Sequence, residues 1–329
     1  MPDALTDYLL FLAKTGTVVA AVAALFVTAG LVSRRGRPSS RLEVRDAGAR
    51  YDRLSWTLRA HALPKPLYRA QVKADKRRRK ARRSADRAAA EPRRRLFVLD
   101  FKGDLMASRV ASLREEVTAI LAVATPRDEV VVRIENPGGL VHDQGLAASQ
   151  LLRVRRRGIP LTAAVDTMAA SGGYLMACVA TKIVAAPFAV VGSIGVVAQV
   201  PNFYRLLDRA GVDVEQFTGG EFKRTVTMFG RNTDDDRRKL TEEVADTHAL
   251  FKEFVAEHRP QVDVEAVGTG EHWYGARALS LGLVDELVTS DDYLLAAREN
   301  AAVYEVSYTP RRTVRRTLAR AATLAAQAR

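Results

Sequence analysis

One cysteine, Cys178, stands among 329 residues. An intramolecular disulfide is therefore excluded, and so is any metal site built on several thiolates. In its apolar setting Cys178 reads as a small buried hydrophobe. No metal and no cofactor is expected. Aromatic residues make up only 7% of the chain, and none falls between Ala70 and Leu96, where cations are densest. That absence removes the stacking platform a single-stranded nucleic acid would need. A positive excess is also missing where it would matter for nucleic-acid binding by the main domain. Residues 95–290 carry 22 Lys/Arg against 26 Asp/Glu, although the whole chain has a net charge of +13. The excess belongs to residues 34–94, with 21 cations against 6 acids, and to residues 291–329, with 7 against 4. No specific nucleic-acid partner is expected.

Long apolar runs are as rare as cysteine. Thr15 to Ser33 is a stretch of 19 residues without a charge, about the length needed to span a bilayer as a helix. A cleaved signal peptide would want cations before it, whereas Asp3 and Asp7 stand there. Arg34, Arg35 and Arg37 follow at once, as a stop-transfer flank does. The expectation is a retained single-pass anchor over residues 1–33. By the positive-inside rule those arginines place the rest of the chain in the cytoplasm. Residues 34–94 then form a basic connector. Lys73 to Arg83 holds eight cations in eleven positions. Its Ala, Lys and Arg content favours a solvated helix or arm. Beside an anchor, such a segment most simply contacts anionic lipid head groups.

From Leu96 strands and helices alternate. Leu96–Phe101 and Glu129–Glu135 read as buried strands, Val110–Val123 has apolar residues at helical spacing, and a further helix is expected over His142–Arg156. Ile159–Val165 is a third strand, Lys182–Ala185 a fourth, and Val214–Thr218 a possible one. Thr233–His258 is a long amphipathic helix. A β-α-β-α-β order implies an α/β fold of parallel strands with right-handed crossovers, whose ligands sit beyond the carboxyl ends of the strands. The expected organisation is anchor 1–33, connector 34–94, main domain 95–290 and basic tail 291–329.

Two glycine pairs fall at such strand ends, Gly138-Gly139 and Gly172-Gly173, the second just after Ser171. A serine at a strand-to-helix junction sits where unpaired first-turn N–H groups and the helix dipole favour an anion. It would serve there as a nucleophile, with the Gly172 amide available to a developing oxyanion; the plainer alternative is a helix N-cap. A serine hydroxyl needs a base. His142 follows the first glycine pair, and Lys223 sits between apolar and aromatic residues whose burial would favour a neutral amine. Spacing alone does not choose between His142 and Lys223.

Six segments in order extend the pattern: Val98-Leu99-Asp100-Phe101-Lys102-Gly103, Asn136-Pro137-Gly138-Gly139-Leu140-Val141-His142, Ala169-Ala170-Ser171-Gly172-Gly173-Tyr174, Val191-Gly192-Ser193-Ile194-Gly195-Val196, Gly220-Glu221-Phe222-Lys223-Arg224 and Gly270-Glu271-His272-Trp273-Tyr274-Gly275. With them, residues 96–290 resemble the signal peptide peptidase family of Ser-Lys proteases, most closely a branch with an anchor and a basic connector. The resemblance implies a ClpP/crotonase-like β-α-β superhelix. It implies a serine endopeptidase acting on signal-peptide-like or membrane-associated polypeptides. Ser171 would be the nucleophile and Lys223 the general base. Ser193 would orient the lysine, and the N–H groups of Gly139 and Gly172 would form the oxyanion hole. It implies a homo-oligomeric ring in which the lysine can come from a neighbouring subunit, and an inner-membrane protein facing the periplasm, against the positive-inside reading. The family more often has Ser before Pro-Gly-Gly; Asn136 is expected to play a structural turn role without loss of activity. A crotonase-type acyl-CoA enzyme would use a similar pair of amides without needing Ser171 and Lys223, and an inactive membrane scaffold could have lost that pair.

Overall fold

The computed structural model describes residues 10, 14–17, 19, 21, 41–88, 93–220 and 222–310. The expected anchor and the end of the basic tail lie almost wholly outside the described residues. Among the described residues no helix is long and apolar enough to cross a membrane. The chain divides into two units, and the one that carries the motifs is Leu42–Ser307.

The connector supplies a strand β1 (Arg41–Asp46) and two helices, α1 (Ala47–Ala62) and α2 (Lys65–Ala88). Then β2 (Arg95–Lys102), α3 (Val110–Leu121), β3 (Glu129–Glu135), α4 (Val141–Arg156) and β4 (Leu161–Val165) alternate as the sequence predicts. β5 (Met168–Ala170) and the short helix α5 (Gly172–Ala177) flank Ser171, and β6 (Lys182–Ala185) and β7 (Val190–Gly192) follow. Beyond them come α6 (Tyr204–Arg209), α7 (Asp234–His258) and α8 (Val264–Val267). The last elements are β8 (His272–Tyr274), α9 (Gly275–Ser280), β9 (Glu286–Leu287), α10 (Ser290–Ala297) and β10 (Ala302–Thr309).

The main sheet has seven strands in the order β1-β10-β2-β3-β4-β6-β9. From β10 to β9 every neighbouring pair is parallel. Both faces are covered. Phe97, Leu99, Phe101, Val130, Val132, Ile134 and Ala163 pack with Leu113, Val117 and Ile120 of α3 and Ala147, Leu151 and Val154 of α4. Leu96, Val98, Val131, Ala164 and Val184 pack on the other side with Ala47, Leu294 and Val303. A sheet buried on both faces needs apolar residues at every position, which is why these strands read as continuous runs. Each Val, Leu, Ile or Phe among them contributes about 1.5–3 kcal/mol when fully buried. Leu99, in mid-strand and fully buried, would cost about 2–5 kcal/mol as Leu99→Ala.

A second, three-stranded sheet joins β5 parallel to β7 and β7 antiparallel to β8. It positions the site, because Ser171 and Ser193 leave the carboxyl ends of two of its strands. The fold is α/β with one largely parallel and one mixed sheet.

In its strands the structure differs from the sequence reading in two places. The sheet takes β1 and β10 from outside residues 95–290, so the folded body is wider than the segment that carries the motifs. Val214–Thr218 forms no strand, and Phe217 is 89% exposed. Its alternation finds no neighbouring strand among the described residues to pair with, and strand propensity follows packing.

Candidate active site

Ser171 adopts φ 51° and ψ −118°, a conformation costing an L-residue about 1–3 kcal/mol. It is held there from both sides. Its N–H donates to the Gly192 carbonyl at 2.8 Å, and its own carbonyl accepts from Leu175 N–H at 2.9 Å. An N-cap serine has an extended backbone and a side chain bonded into the first turn. Ser171 has neither, since its side chain makes no capping bond. Ser171 therefore stands at the N-cap position without capping through its side chain, at a sharp strained turn from strand to helix of the kind that holds a serine hydroxyl outward.

The first glycine pair packs directly on this turn. Gly138 has φ +96°, and a Cβ there would lie 2.8 Å from Ser171 Cβ and 3.0 Å from the Gly172 nitrogen. A Cβ on Gly139 would collide with the Leu105 carbonyl, and one on Gly172 with the Gln144 side chain. Close approach of the two loops thus demands glycine. The amides sort themselves by their partners. Gly138 N–H donates to Asn136 Oδ1 at 2.9 Å, and Leu140 N–H to the Leu105 carbonyl at 2.9 Å. Among the described residues no hydrogen bond takes the N–H of Gly139 or Gly172. Two unanswered donors beside a serine are what an oxyanion would need.

Ser193 leaves the neighbouring strand. Ala170 is in register with Gly192, so Ser171 and Ser193 each follow a paired residue. Ser193 also has positive φ, 53°, and its N–H donates to the Glu271 carbonyl at 2.7 Å. The next carbonyl, that of Ile194, accepts from Gly270 N–H at 3.1 Å and lies 3.2 Å from His248 Nε2.

Lys223 is placed differently from the sequence expectation that its neighbours bury it. It is exposed, in the connection between α6 and α7, and so is Phe222, over whose ring Lys239 sits at 5.1 Å. No hydrogen bond or ion pair among the described residues links its side chain to Ser171 or Ser193. The physical reason is local: this connection has little regular structure, and Val212, Val214, Phe217 and Phe229 in it are exposed as well. His142 lies in the first turn of α4, largely exposed, with Nε2 3.6 Å from Asp143. Cys178 is fully buried, with Sγ donating to the Leu175 carbonyl at 3.3 Å, and burial pushes its thiol up, so it is held as an inert thiol.

The structure brings Ser171, Ser193, Gly139 and Gly172 of the sequence reading to neighbouring strand ends, beside Gln144 and His248, to which the sequence reading gives no role. Gln144 is one polar residue on an ordinary helix and His248 one on a charged helix, so neither carried a signal. Asn136 was legible: Asn two residues before Gly138 is the pattern in which a side-chain oxygen accepts from its own chain's N–H.

Comparison with known proteins gives the family. The description Peptidase family S49 N-terminal matches residues 3–151, and Peptidase family S49 matches residues 153–304. A probable protease SohB of Haemophilus influenzae is 44% identical over 317 residues, covering 93% of this chain and 89% of that protein. A probable protease SohB of Buchnera aphidicola subsp. Acyrthosiphon pisum is 53% identical over 222 residues, 68% of this chain and 66% of that one. A putative signal peptide peptidase SppA of Enterococcus faecium is 29% identical over 168 residues, half of this chain and 48% of that one. Among solved structures, a variant of the 1510-N membrane-bound stomatin-specific protease aligns with TM-score 0.42 and 12% identity, over 63% of this chain and 85% of that one. With residues 3–304 matched almost without a break, the chain belongs to peptidase family S49.

Proposed function

We propose that the chain is a membrane-anchored serine endopeptidase that hydrolyses signal-peptide-like or membrane-associated polypeptides with a Ser171–Lys223 dyad, on a ClpP/crotonase-like superhelix. The observation that carries the reading is Ser171 itself, strained at φ 51° with no capping bond and with the free N–H groups of Gly139 and Gly172 beside it. In this reaction the Lys223 amine takes the hydroxyl proton while Ser171 Oγ adds to the scissile carbonyl carbon. The carbonyl oxygen becomes an oxyanion between the two amides. Collapse breaks the C–N bond, and the lysine ammonium gives its proton to the departing amine. A water then repeats the sequence on the acyl-enzyme and regenerates both groups. Ser193 orients the amine.

The exposure of Lys223 in the single chain supports a neighbouring copy as the source of its desolvation, in a homo-oligomeric ring. The exposed apolar residues of the same connection suit that contact. The basic face of α2 contacts anionic lipid, and the anchor over residues 1–33 holds the enzyme at the inner membrane.

The test is peptide hydrolysis by purified full-length protein, comparing wild type with Ser171→Ala. Loss of turnover with unchanged folding supports the nucleophile. Full turnover in Ser171→Ala removes it and favours an acyl-transfer chemistry that uses the two amides alone.

A further inference from the structure

Asn136 occupies the junction of the two halves of the site and is fully buried. Its backbone holds the nucleophile strand: Asn136 N–H donates to the Met168 carbonyl at 2.9 Å, and Ala170 N–H donates to the Asn136 carbonyl at 3.0 Å. Its side chain holds the glycine loop, with Oδ1 accepting from Gly138 N–H. The other end of the same amide, Nδ2, donates to Gln144 Oε1 at 2.8 Å and lies 3.4 Å from Met176 sulfur. Gln144, also fully buried, donates Nε2–H to the Asp104 carbonyl at 3.1 Å.

The orientation of this chain of amides is determined at both ends. Gly138 N–H is a donor, so it must meet the Asn136 oxygen. The Asn136 nitrogen must then meet the Gln144 oxygen, and the Gln144 nitrogen meets a carbonyl that can only accept. Neither amide can flip without leaving two like groups opposed in the interior. The surroundings allow no slack: a Cβ on Gly103 would collide with the Asn136 side chain, one on Gly173 with its carbonyl, and one on Gly172 with Gln144.

We propose that the buried Asn136–Gln144 amide pair is a positioning device that sets the glycine loop against the Ser171 turn, and that it acts on turnover rather than on substrate binding. The proposal rests on Ser171 being the nucleophile. By engaging Gly138 N–H, Asn136 removes the wrong donor from the hole and fixes the plane of the 137–138 peptide, which limits how the next peptide can turn and leaves its Gly139 N–H as the donor for the reaction. A serine at position 136 would still reach Gly138 N–H, as the shorter hydroxyl can, but would lose Gln144. It reproduces half the device.

The experiment measures kcat and KM for a peptide, together with inhibition by the matching peptide aldehyde, whose serine adduct places an oxygen in the hole. Asn136→Ala is expected to lower kcat about 10–100-fold, the effect of misplacing an oxyanion donor, with KM within about two-fold. Aldehyde affinity should fall by about the same factor as kcat/KM. Asn136→Ser should recover much of the loss, and Gln144→Leu, which leaves Gly138 N–H engaged, should show a smaller one. If Asn136→Ala does not fold, Asn136→Ser and Gln144→Leu carry the same comparison. Unchanged kcat in these variants, or a loss that appears in KM and leaves aldehyde affinity intact, overturns the proposal. Ser171→Ala run alongside separates the failures: activity there sinks the nucleophile, whereas a dead Ser171→Ala with a fully active Asn136→Ala sinks only the positioning role.

Discussion

The two ends of the parallel strands solve opposite problems. At the carboxyl ends the backbone is strained and donors are left open. The non-glycine residues with positive φ among the described residues are Ala107, Ser171 and Ser193, and they follow β2, β5 and β7 in turn. At the amino ends charges are answered several times over. Asp128, just before β3, accepts from Arg95 N–H and Nε at 2.9 and 3.1 Å, from Arg95 Nη2 at 2.6 Å and from Thr125 N–H at 2.8 Å. Glu129 accepts from Arg94, Tyr293 and Thr162 at 2.6–2.8 Å. Asp285 accepts from Arg259 and from Ile183 N–H. Strain persists only where the surroundings over-determine it, and the satisfied end is part of what does so.

The sharpest break of that comparison is at Ser171. Ser171→Ala should reduce peptide turnover by about 10³-fold or more, since nucleophile and base act as a unit. Ser171→Gly should be equally inactive yet more stable than Ser171→Ala by about 1 kcal/mol, because glycine adopts positive φ without a steric penalty. Denaturant unfolding of the two variants decides this, and a less stable glycine variant would show that no strain is stored there. Lys223→Ala should lose activity to the same extent while its unfolding free energy stays within about 0.5 kcal/mol of wild type, as for other exposed sites. Mixing Ser171→Ala with Lys223→Ala subunits should restore part of the activity if the base crosses between copies. Full activity of Lys223→Ala alone would return attention to His142.

The other end should respond in stability and hardly at all in chemistry. Asp128→Asn strips the carboxylate from a buried pair and should cost about 3 kcal/mol, with kcat of the folded fraction unchanged. Burial alone would push the Asp128 carboxyl up, but the Arg95 guanidinium and the Thr125 and Arg95 N–H groups outweigh it and hold it at about 2. A carboxyl ionising lower in the folded chain than its unfolded value of about 3.9 stabilises fully above that value, and that stabilisation, on the order of 2–3 kcal/mol, is lost as pH falls through about 2. Unfolding measured between pH 6 and pH 2 should therefore show a falling limb in wild type that is shallower in Asp128→Asn. Equal limbs would remove Asp128 from the acid response.

Most of this contrast was legible in the sequence, for unequal reasons. β3 ran over Glu129–Glu135 as read, because a strand buried on both faces leaves an unbroken apolar run. Ser171 stood out through its glycines, which mark a close approach of backbones. Its dihedral angles did not, since strain comes from the Gly192 and Leu175 bonds and these need the tertiary fold. Lys223 was read as buried from apolar neighbours in sequence, yet neighbours such as Phe222 face outward in the single chain. β1 is not legible because Arg-Leu-Glu-Val-Arg-Asp alternates apolar and charged residues inside a basic run, where charge dominates.

The connector offers the smallest effect, one on binding alone. It is less an arm than part of the body. Ala47 of α1 is buried, Arg298 pairs with Asp52 at 2.9 Å, and Arg59 of α1 reaches Asp75 of α2 at 3.3 Å. Trp56 and Tyr68 meet edge to face at 5.9 Å across the same pair of helices. Arg69, Lys73, Lys76 and Lys80 recur at helical spacing along α2, so these four charges share one face, with Arg78 on the opposite one. A fixed row of cations suits a flat anionic surface, where each is worth about 1 kcal/mol before screening. Lys73→Glu, Lys76→Glu and Lys80→Glu together should weaken binding to anionic vesicles at least about tenfold at low salt. They should erase most of its salt dependence and leave cleavage of a short soluble peptide unchanged. Vesicle sedimentation across a salt series reads the first part, and peptide turnover the second. If the triple variant sediments with anionic vesicles as wild type does, while losing the shift of an RNA or DNA probe, the face recognises nucleic-acid phosphate and the lipid assignment falls.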